Sequence, residues 1–478
     1  MPVKKTILLP IMLMTVLFWS PQAKAIPAFA RQTHLECSTC HFQHYPVLNK
    51  FGRAFKSQGY VMLGQDTKAV EGQNNLSIPA TLNAAVIGTV TYQKTNGSNP
   101  APTPGVTPTN TSNDGLFSIP QQIHLYLGGR ISDNIGFIAE SCLEAACTSE
   151  GGPLAGIKIP FLFNVGDAMV GAVPFSYGQG GAGVAYGFEL LNTGAVAIHA
   201  FNQQDMASIS AQQYVAVISP MNSAGQNPSV GQNIPASGIS FVANHEIGFI
   251  NFTKWEPSHM ANGTNGSPTS NYFRIAAIPP DLVQGWDIGF GSQIWAGSSA
   301  MTSLAEAPVE TNAFAFDAQF LGLVGKLPLT IITSYAKARG NDPLDPVQNI
   351  FNNQAGNVGA AQDRSSFNIG AEVGILSEIK DDKVADKLAL QLGIRFAKSG
   401  INETGVSPGL GIPGAPIPGT NATDNALMVG ATYEIAQNMK FTLTFSNYSG
   451  TYYNDSSFAK SAGGAGDQQI WVAMEAGW

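Results

Sequence analysis

Period-two alternation of apolar and polar residues dominates the C-terminal half of the chain. Phe367, Ile369, Ala371, Val373 and Ile375 alternate with Asn368, Gly370, Glu372 and Gly374. Leu388, Leu390, Leu392, Ile394 and Phe396 alternate with Gln391, Gly393 and Arg395, and Leu427 to Ile435 repeats the pattern with Thr432 and Glu434 opposite. Beyond Ala436-Gln437-Asn438, Met439, Phe441, Leu443 and Phe445 alternate with Lys440, Thr442, Thr444 and Ser446. Successive side chains of a strand point to opposite faces, so each segment predicts a strand with one apolar face and one polar or small face. Each runs to roughly ten residues, the length at which a tilted strand crosses a bilayer.

Connections between these segments alternate in length. Ser132-Asp133-Asn134, Gly325-Lys326-Leu327 and residues 436–438 are short, whereas 94–115, 339–365, 399–424 and 450–468 are long and rich in Asn, Gly, Ser, Thr and Pro. Outer-membrane barrels place short turns on the periplasmic side and long loops outside. The expected fold is therefore all-β, a transmembrane antiparallel β-barrel of about 16–18 strands over residues 76–478, with outer-membrane lipid as its surroundings. Counting back from the C-terminus and forward from a periplasmic N-terminal domain agrees only for an even strand number. Residues 178–240 leave that number least fixed. At the chain end Ile470, Val472, Met474 and Ala476 alternate with Gln469, Trp471, Ala473, Glu475 and Gly477 before Trp478. That strand with a terminal aromatic resembles the C-terminal signal of bacterial outer-membrane barrels.

Composition agrees: 52 glycines, only 12% charged residues, and no later run of apolar residues long enough for a helical span. The first 25 residues combine Lys4 and Lys5, an apolar stretch from Ile7 to Trp19, and Ala23-Lys24-Ala25, the pattern of a cleaved secretory signal. The formal net charge is −8; Lys4, Lys5 and Lys24 are the only charges of the signal, which leaves the remainder at −11. An acidic chain without basic patches argues against nucleic acid as a partner. No nucleotide loop, hydrolytic triad or second metal motif is present.

Chemistry enters with Cys37-Ser38-Thr39-Cys40-His41. The chain has only four cysteines, and a C-x-x-C-H run supplies two thiols for the haem vinyl groups and a histidine for the iron. Cys37 and Cys40 are expected to attach one haem c covalently, with His41 as proximal ligand. A zinc half-site would need a second Cys/His pair, and Cys142 and Cys147 are distant and wrongly spaced. Those two flank Leu-Glu-Ala-Ala and are expected to form a small loop disulfide at the extracellular rim. Residues 26–75 are a soluble stretch of about 50 residues, too small to be stable without a staple, which covalent haem provides. Phe51 and Phe55, four residues apart on one helix, are placed against the haem edge, with Arg53 and Lys56 available to its propionates. Gly59-Tyr60 reads as the helix stop. The distal iron position is assigned first to Met62, then to His34 or a ligand from the barrel wall; His44 is too near His41 to reach it. A barrel of this size has room for a plug, so this domain is expected in the lumen or at its periplasmic mouth.

Ile26-Pro27-Ala28-Phe29-Ala30-Arg31-Gln32-Thr33, the C-x-x-C-H, and Pro46 through Tyr60 together resemble the N-terminal signature of the fused outer-membrane cytochrome–porins of iron-oxidising bacteria. His34 stands where that pattern has glycine. The resemblance implies a monohaem cytochrome plugging a barrel, an iron(II):cytochrome c oxidoreductase-like conduit taking electrons from extracellular Fe(II) to a periplasmic c-type cytochrome or other soluble carrier. Lumen-facing Glu372, Glu434, Asp317 and Glu475 then become candidate oxygen ligands for Fe(II), although barrel interiors carry such carboxylates for structural reasons as well. Two other readings remain: a porin plugged or gated by its haem domain, and a conduit for a different extracellular donor or acceptor.

Overall fold

The computed structural model describes residues 28–96, 115–143, 154–178, 188–193, 210–216, 236–257, 267–301, 307–341, 347–352, 362–402, 421–451 and 467–478, apart from a few single positions within these runs. Strands form a closed antiparallel barrel. In chain order its staves are β1 Ala84–Thr95, β2 Leu116–Ser132, β3 Ile135–Cys142, β4 Leu154–Lys158 with Phe161–Val165, β5 Ala168–Tyr177, β6 Ala236–His245, β7 Gly248–Glu256 and β8 Ser270–Ala277. They continue as β9 Asp287–Ala296, β10 Ala313–Val324, β11 Leu327–Ala338, β12 Arg364–Lys380, β13 Lys383–Asn402, β14 Asn421–Thr423 with Asn425–Ala436, β15 Met439–Ser449 and β16 Gln468–Gly477. Both pieces of β4 pair with β3 and β5, and both pieces of β14 with β13, so each counts as one interrupted stave. The total is sixteen, an even number as the connection pattern requires. Closure is made by β16 against β1, from Gln469 opposite Thr95 to Gly477 opposite Ile87.

Connections alternate strictly along the chain. Residues 133–134, 166–167, 246–247, 325–326, 381–382 and 437–438 are two-residue links, joined on the same rim by 278–286; every link on the other rim is longer. Among the described residues of 178–235 there is no stave. Their described parts, 188–193 and a short helix at Ala211–Ala216, enter the lumen. The first stave begins at Ala84 rather than near Leu76, because Ala69–Glu71 and Ser77–Pro79 form a separate two-stranded ribbon before it.

Burial is inverted relative to a water-soluble sheet. Phe441, Leu443 and Phe445 of β15 are exposed outward, while Thr442, Thr444 and Ser446 are buried inward. Along β10 Phe314 and Phe316 face out and Ala315 and Asp317 face in. Such a continuous apolar exterior is stable only in an apolar medium. No helix among the described residues is long and apolar enough to cross a membrane.

Residues 28–64 occupy the lumen at the rim of short links. They fold as α1 Ala28–Thr33, α2 Cys37–Cys40 and α3 Lys50–Ser57. Contacts run right round the ring: Val61 to Arg130 of β2, Ser57 to Asn244 of β6, Arg53 to Asp287 of β9, Gln43 to Thr330 of β11 and Asp386 of β13, and Tyr45 to Lys440 of β15. A segment touching staves on every side is enclosed by them; it is a plug. Asn49 caps α3 by accepting from the Gly52 N–H at 2.9 Å. The helix gives way to Gly59 and Tyr60, both at positive φ, 74° and 67°, as the sequence predicts.

Candidate functional site

The C-x-x-C-H run folds as a single helical turn. His41 N–H bonds back to the Cys37 carbonyl at 2.9 Å, and Asn49 N–H to that of Cys40 at 3.0 Å. Gly52 is required here, because a Cβ on it would fall on the Cys40 carbonyl oxygen. α2 and α3 therefore lie against each other, and the turn is tied to the barrel through Cys37 N–H and Gln437 Oε1 at 3.1 Å.

Cys37, Cys40 and His41 line one cavity of about 440 Å³, within the usual range for small-molecule and cofactor sites, roughly 300–1,000 Å³. Its plug side carries Phe29, Leu48, Phe55 and Tyr60; its wall side carries Ile87, His124, Tyr126, Ile138 and Glu140. Phe29 stacks on Tyr60 at 4.9 Å between centroids and meets Phe55 edge-on at 5.2 Å. Lys56, Lys158 and Lys440 also reach the cavity.

Electrostatics of the turn favour neutral groups. Both thiols are free. Burial pushes Cys37 up to about 11, helped by Glu434 and Glu36, and burial with the neighbouring Cys37 pushes Cys40 to about 11. A reactive dithiol needs depressed values; this pair has the opposite. Burial drives His41 down to about 4 against a smaller upward pull from the Pro46 and Val47 backbone. Its Nδ1 is buried without a partner in hydrogen-bonding geometry. Burial alone also sets Lys56 down to about 8, with Glu189 opposing.

Other predicted positions lie elsewhere. His34 is exposed at the end of α1 with φ 57° and does not line the cavity. Met62 packs against the apolar cluster around Phe55 and Leu162 and borders a second cavity with Arg53 and Arg130. The chain turns at Gly59-Tyr60, and neither Met62 nor His34 lines the cavity that Cys37, Cys40 and His41 share. His44 faces away from it, with Nε2 2.6 Å from Glu372 Oε1 and Nδ1 2.7 Å from the Tyr45 carbonyl. Arg53 is committed to Asp287 at 2.6 and 2.9 Å, which leaves Lys56 as the one of the two cations at the cavity. Phe55 lines the cavity; Phe51, 37% exposed, does not. Cys142 is disulfide-bonded, and its expected partner Cys147 lies outside the described residues, as does the signal segment.

The lumen carboxylates have structural partners. Glu372 accepts from Gln391 at 2.6 Å besides contacting His44. Asp317 takes both Arg274 terminal nitrogens at 2.6 and 2.9 Å, while Glu189 accepts from Arg274 Nε at 3.0 Å. Glu475 sits 3.4 Å from Lys440. Glu434 lines the cavity beside Cys37. Among the described residues no group of three His, Cys, Asp or Glu side chains is assembled to hold a metal ion. His124, which the sequence reading did not single out, is the second histidine of the cavity. Its signal was present: His124 and Tyr126 alternate with Ile123, Leu125 and Leu127 and so fall on the inward face of β2.

No protein-family model and no curated protein matches the chain. Solved structures similar to it are outer-membrane barrels. OmpT of Vibrio cholerae has 9% identity and a TM-score of 0.41, covering 86% of this chain and 100% of its own. The channel DcaP of Acinetobacter baumannii has 8% identity and a TM-score of 0.44, covering 86% and 99%. Salmonella typhi OmpF in complex with daunomycin has 12% identity and a TM-score of 0.43, covering 86% and 100%. The barrel assignment rests on this chain's own closed ladder of strands.

Proposed function

We propose that this chain is a bacterial outer-membrane barrel whose plug carries one covalently attached haem c, and that it passes electrons rather than solutes across the membrane. The observation that carries the reading is the convergence of two free thiols and a half-buried imidazole on one largely apolar cavity inside a lipid-facing barrel. Cys37 and Cys40 would hold the group by thioethers and His41 by its imidazole. Haem bound there supplies a one-electron iron couple.

The chain's own residues supply the rest. Burial keeps His41 neutral, the form that ligates a metal. Phe29, Phe55 and Tyr60 exclude water from one side of the cavity. The anchors to β9, β11, β12 and β13 fix the plug in register with the barrel, which keeps donor-to-acceptor geometry constant. Fe(II) as the extracellular donor and a periplasmic cytochrome as acceptor rest on the N-terminal resemblance. Oxidised iron is insoluble near neutral pH, so exporting the need for the electron, rather than importing the metal, suits an outer-membrane protein.

A plugged or gated channel is the second reading, and the sixteen-stave porin-type barrel itself favours it. One experiment separates them. Isolated outer membranes are treated with anaerobic Fe(II) while the visible spectrum is recorded, and the polypeptide is then stained for haem after denaturing electrophoresis. Growth of the reduced α-band, lost with C37A/C40A, supports electron transfer. Covalent haem that only dithionite reduces removes Fe(II) as donor. A polypeptide without covalent haem, together with a conductance that rises when the plug is deleted, leaves the channel.

A further inference from the structure

The geometry points to His124 of the barrel wall as the distal iron ligand, with Glu140 as the residue that orients it; this rests on the haem reading above. The wall brings His124 to the cavity by register. Gln437 holds Cys37 from the β14–β15 turn. Its neighbour Asn438 accepts from Gly477 N–H at 2.8 Å, Gly477 lies opposite Ile87, and Ile87 lies opposite His124. Three stave spacings therefore separate the Cys37 anchor from His124, about 14–15 Å along the wall. The two histidines reach the same cavity from different sides, one from the plug and one from the barrel.

Glu140 holds the His124 ring in place. Its Nδ1 lies 2.6 Å from Glu140 Oε1, and the same oxygen accepts from Tyr126 O–H at 2.6 Å. Register places Tyr126 directly opposite Glu140 and His124 opposite Cys142, so both rings converge on one carboxylate from a single face of β2 and β3. A neutral imidazole whose Nδ1–H is given to a carboxylate carries its lone pair on Nε2, and this is the second-shell arrangement that orients metal-ligating histidines and raises their basicity.

The remaining soft donor of the cavity is Met439. It follows the Gln437-Asn438 turn that anchors Cys37, and its neighbour Lys440 approaches Tyr45, whose ring is 5.3 Å from that of His41. Met439 thus belongs to the His41 side of the cavity. Tyr126 is engaged with Glu140, and Lys158 stands over the Tyr177 ring at 5.2 Å. His124 is the donor that combines a different wall with a carboxylate partner on its Nδ1.

Full-length protein is purified in detergent and examined by optical and electron paramagnetic resonance spectroscopy, with barrel folding checked by heat-modifiable electrophoretic mobility. Wild type is expected to be low-spin with two nitrogen axial ligands. H124A is expected to convert fully to high spin and to return to low spin on addition of imidazole. H124M should introduce the charge-transfer band of a methionine–iron bond and raise the potential. E140Q should keep the low-spin state and raise the potential, because the weaker acceptor lowers imidazole basicity. A folded H124A with covalent haem and an unchanged low-spin spectrum overturns the assignment, as does conversion by M439L in place of H124A. Absence of covalent haem from wild type overturns the haem reading itself, and the ligand with it.

Discussion

The His44–Glu372 contact makes an asymmetric prediction. Both side chains are almost fully buried, at 1% and 0% exposure, and join the plug to β12 at 2.6 Å. In H44A the Glu372 carboxylate keeps Gln391 but loses its cation. Removing one partner of a buried pair costs about 3–5 kcal/mol, because it leaves an uncompensated buried charge. In E372A the imidazole has an easier exit: it sheds its proton at little cost from an ordinary pKa near 6.5. Nδ1 still donates to the Tyr45 carbonyl, and only the Nε2 lone pair is stranded, about 1–3 kcal/mol. At about 1.4 kcal/mol per decade, plug docking should weaken roughly 150- to 5,000-fold in H44A and roughly 5- to 150-fold in E372A. Burial opposes the charge of His44, but Glu372 outweighs it and leaves the pKa raised. The contribution is therefore complete below pH 6.5 and drains away as pH rises through the raised value; neither variant should show that alkaline loss. Pulse proteolysis of residues 28–64 in a urea series at pH 6 and pH 9 reads docking, and heat-modifiable mobility confirms an intact barrel. E372A costing as much as H44A, or a wild-type plug that tightens with alkalinity, would refute the reasoning.

Three further outcomes follow from named contacts. R274L leaves Glu189 and Asp317 facing each other in the lumen without a cation, and the midpoint of thermal loss of β-structure should drop, consistent with about 3–5 kcal/mol. L443R places a charge on the outward face of β15, where Leu443 is 45% exposed, and should destabilise the protein in lipid vesicles by about 2–4 kcal/mol, measured by urea unfolding. G136A sets a Cβ on the Gly59 carbonyl oxygen, so it should speed proteolysis of the plug while barrel mobility on gels stays unchanged.

Local pattern made the wall legible in the sequence. Side-chain direction in a strand has period two, so Phe441 through Ser446 reveals both faces without knowledge of any partner. Links of two residues against long loops then gave topology and an even count. The motif turn was legible because its chemistry is confined to five consecutive residues. The lumen was not. Residues 188–193 and 211–216 carry no periodicity that marks them as lumen filling, and their contacts, such as Asn192 with Gln319 at 2.9 Å, join positions far apart in the chain. Met62 and His34 are near His41 in sequence, yet α1 ends at Thr33 and the chain reverses at Gly59, so neither lines the cavity with His41. His124 was readable as inward-facing, but nothing local says that β2 lies three staves from the Cys37 anchor on the same cavity; that fact belongs to the closure of β16 on β1.

That closure also bears on assembly. The ladder joining residues 469–477 to 87–95 unites strands at opposite ends of the sequence, so its loop entropy makes it the natural last step. Plug residues are spread against staves from β2 to β15, so seating the plug, like shutting the seam, draws together strands far apart in the sequence, and the two events are coupled.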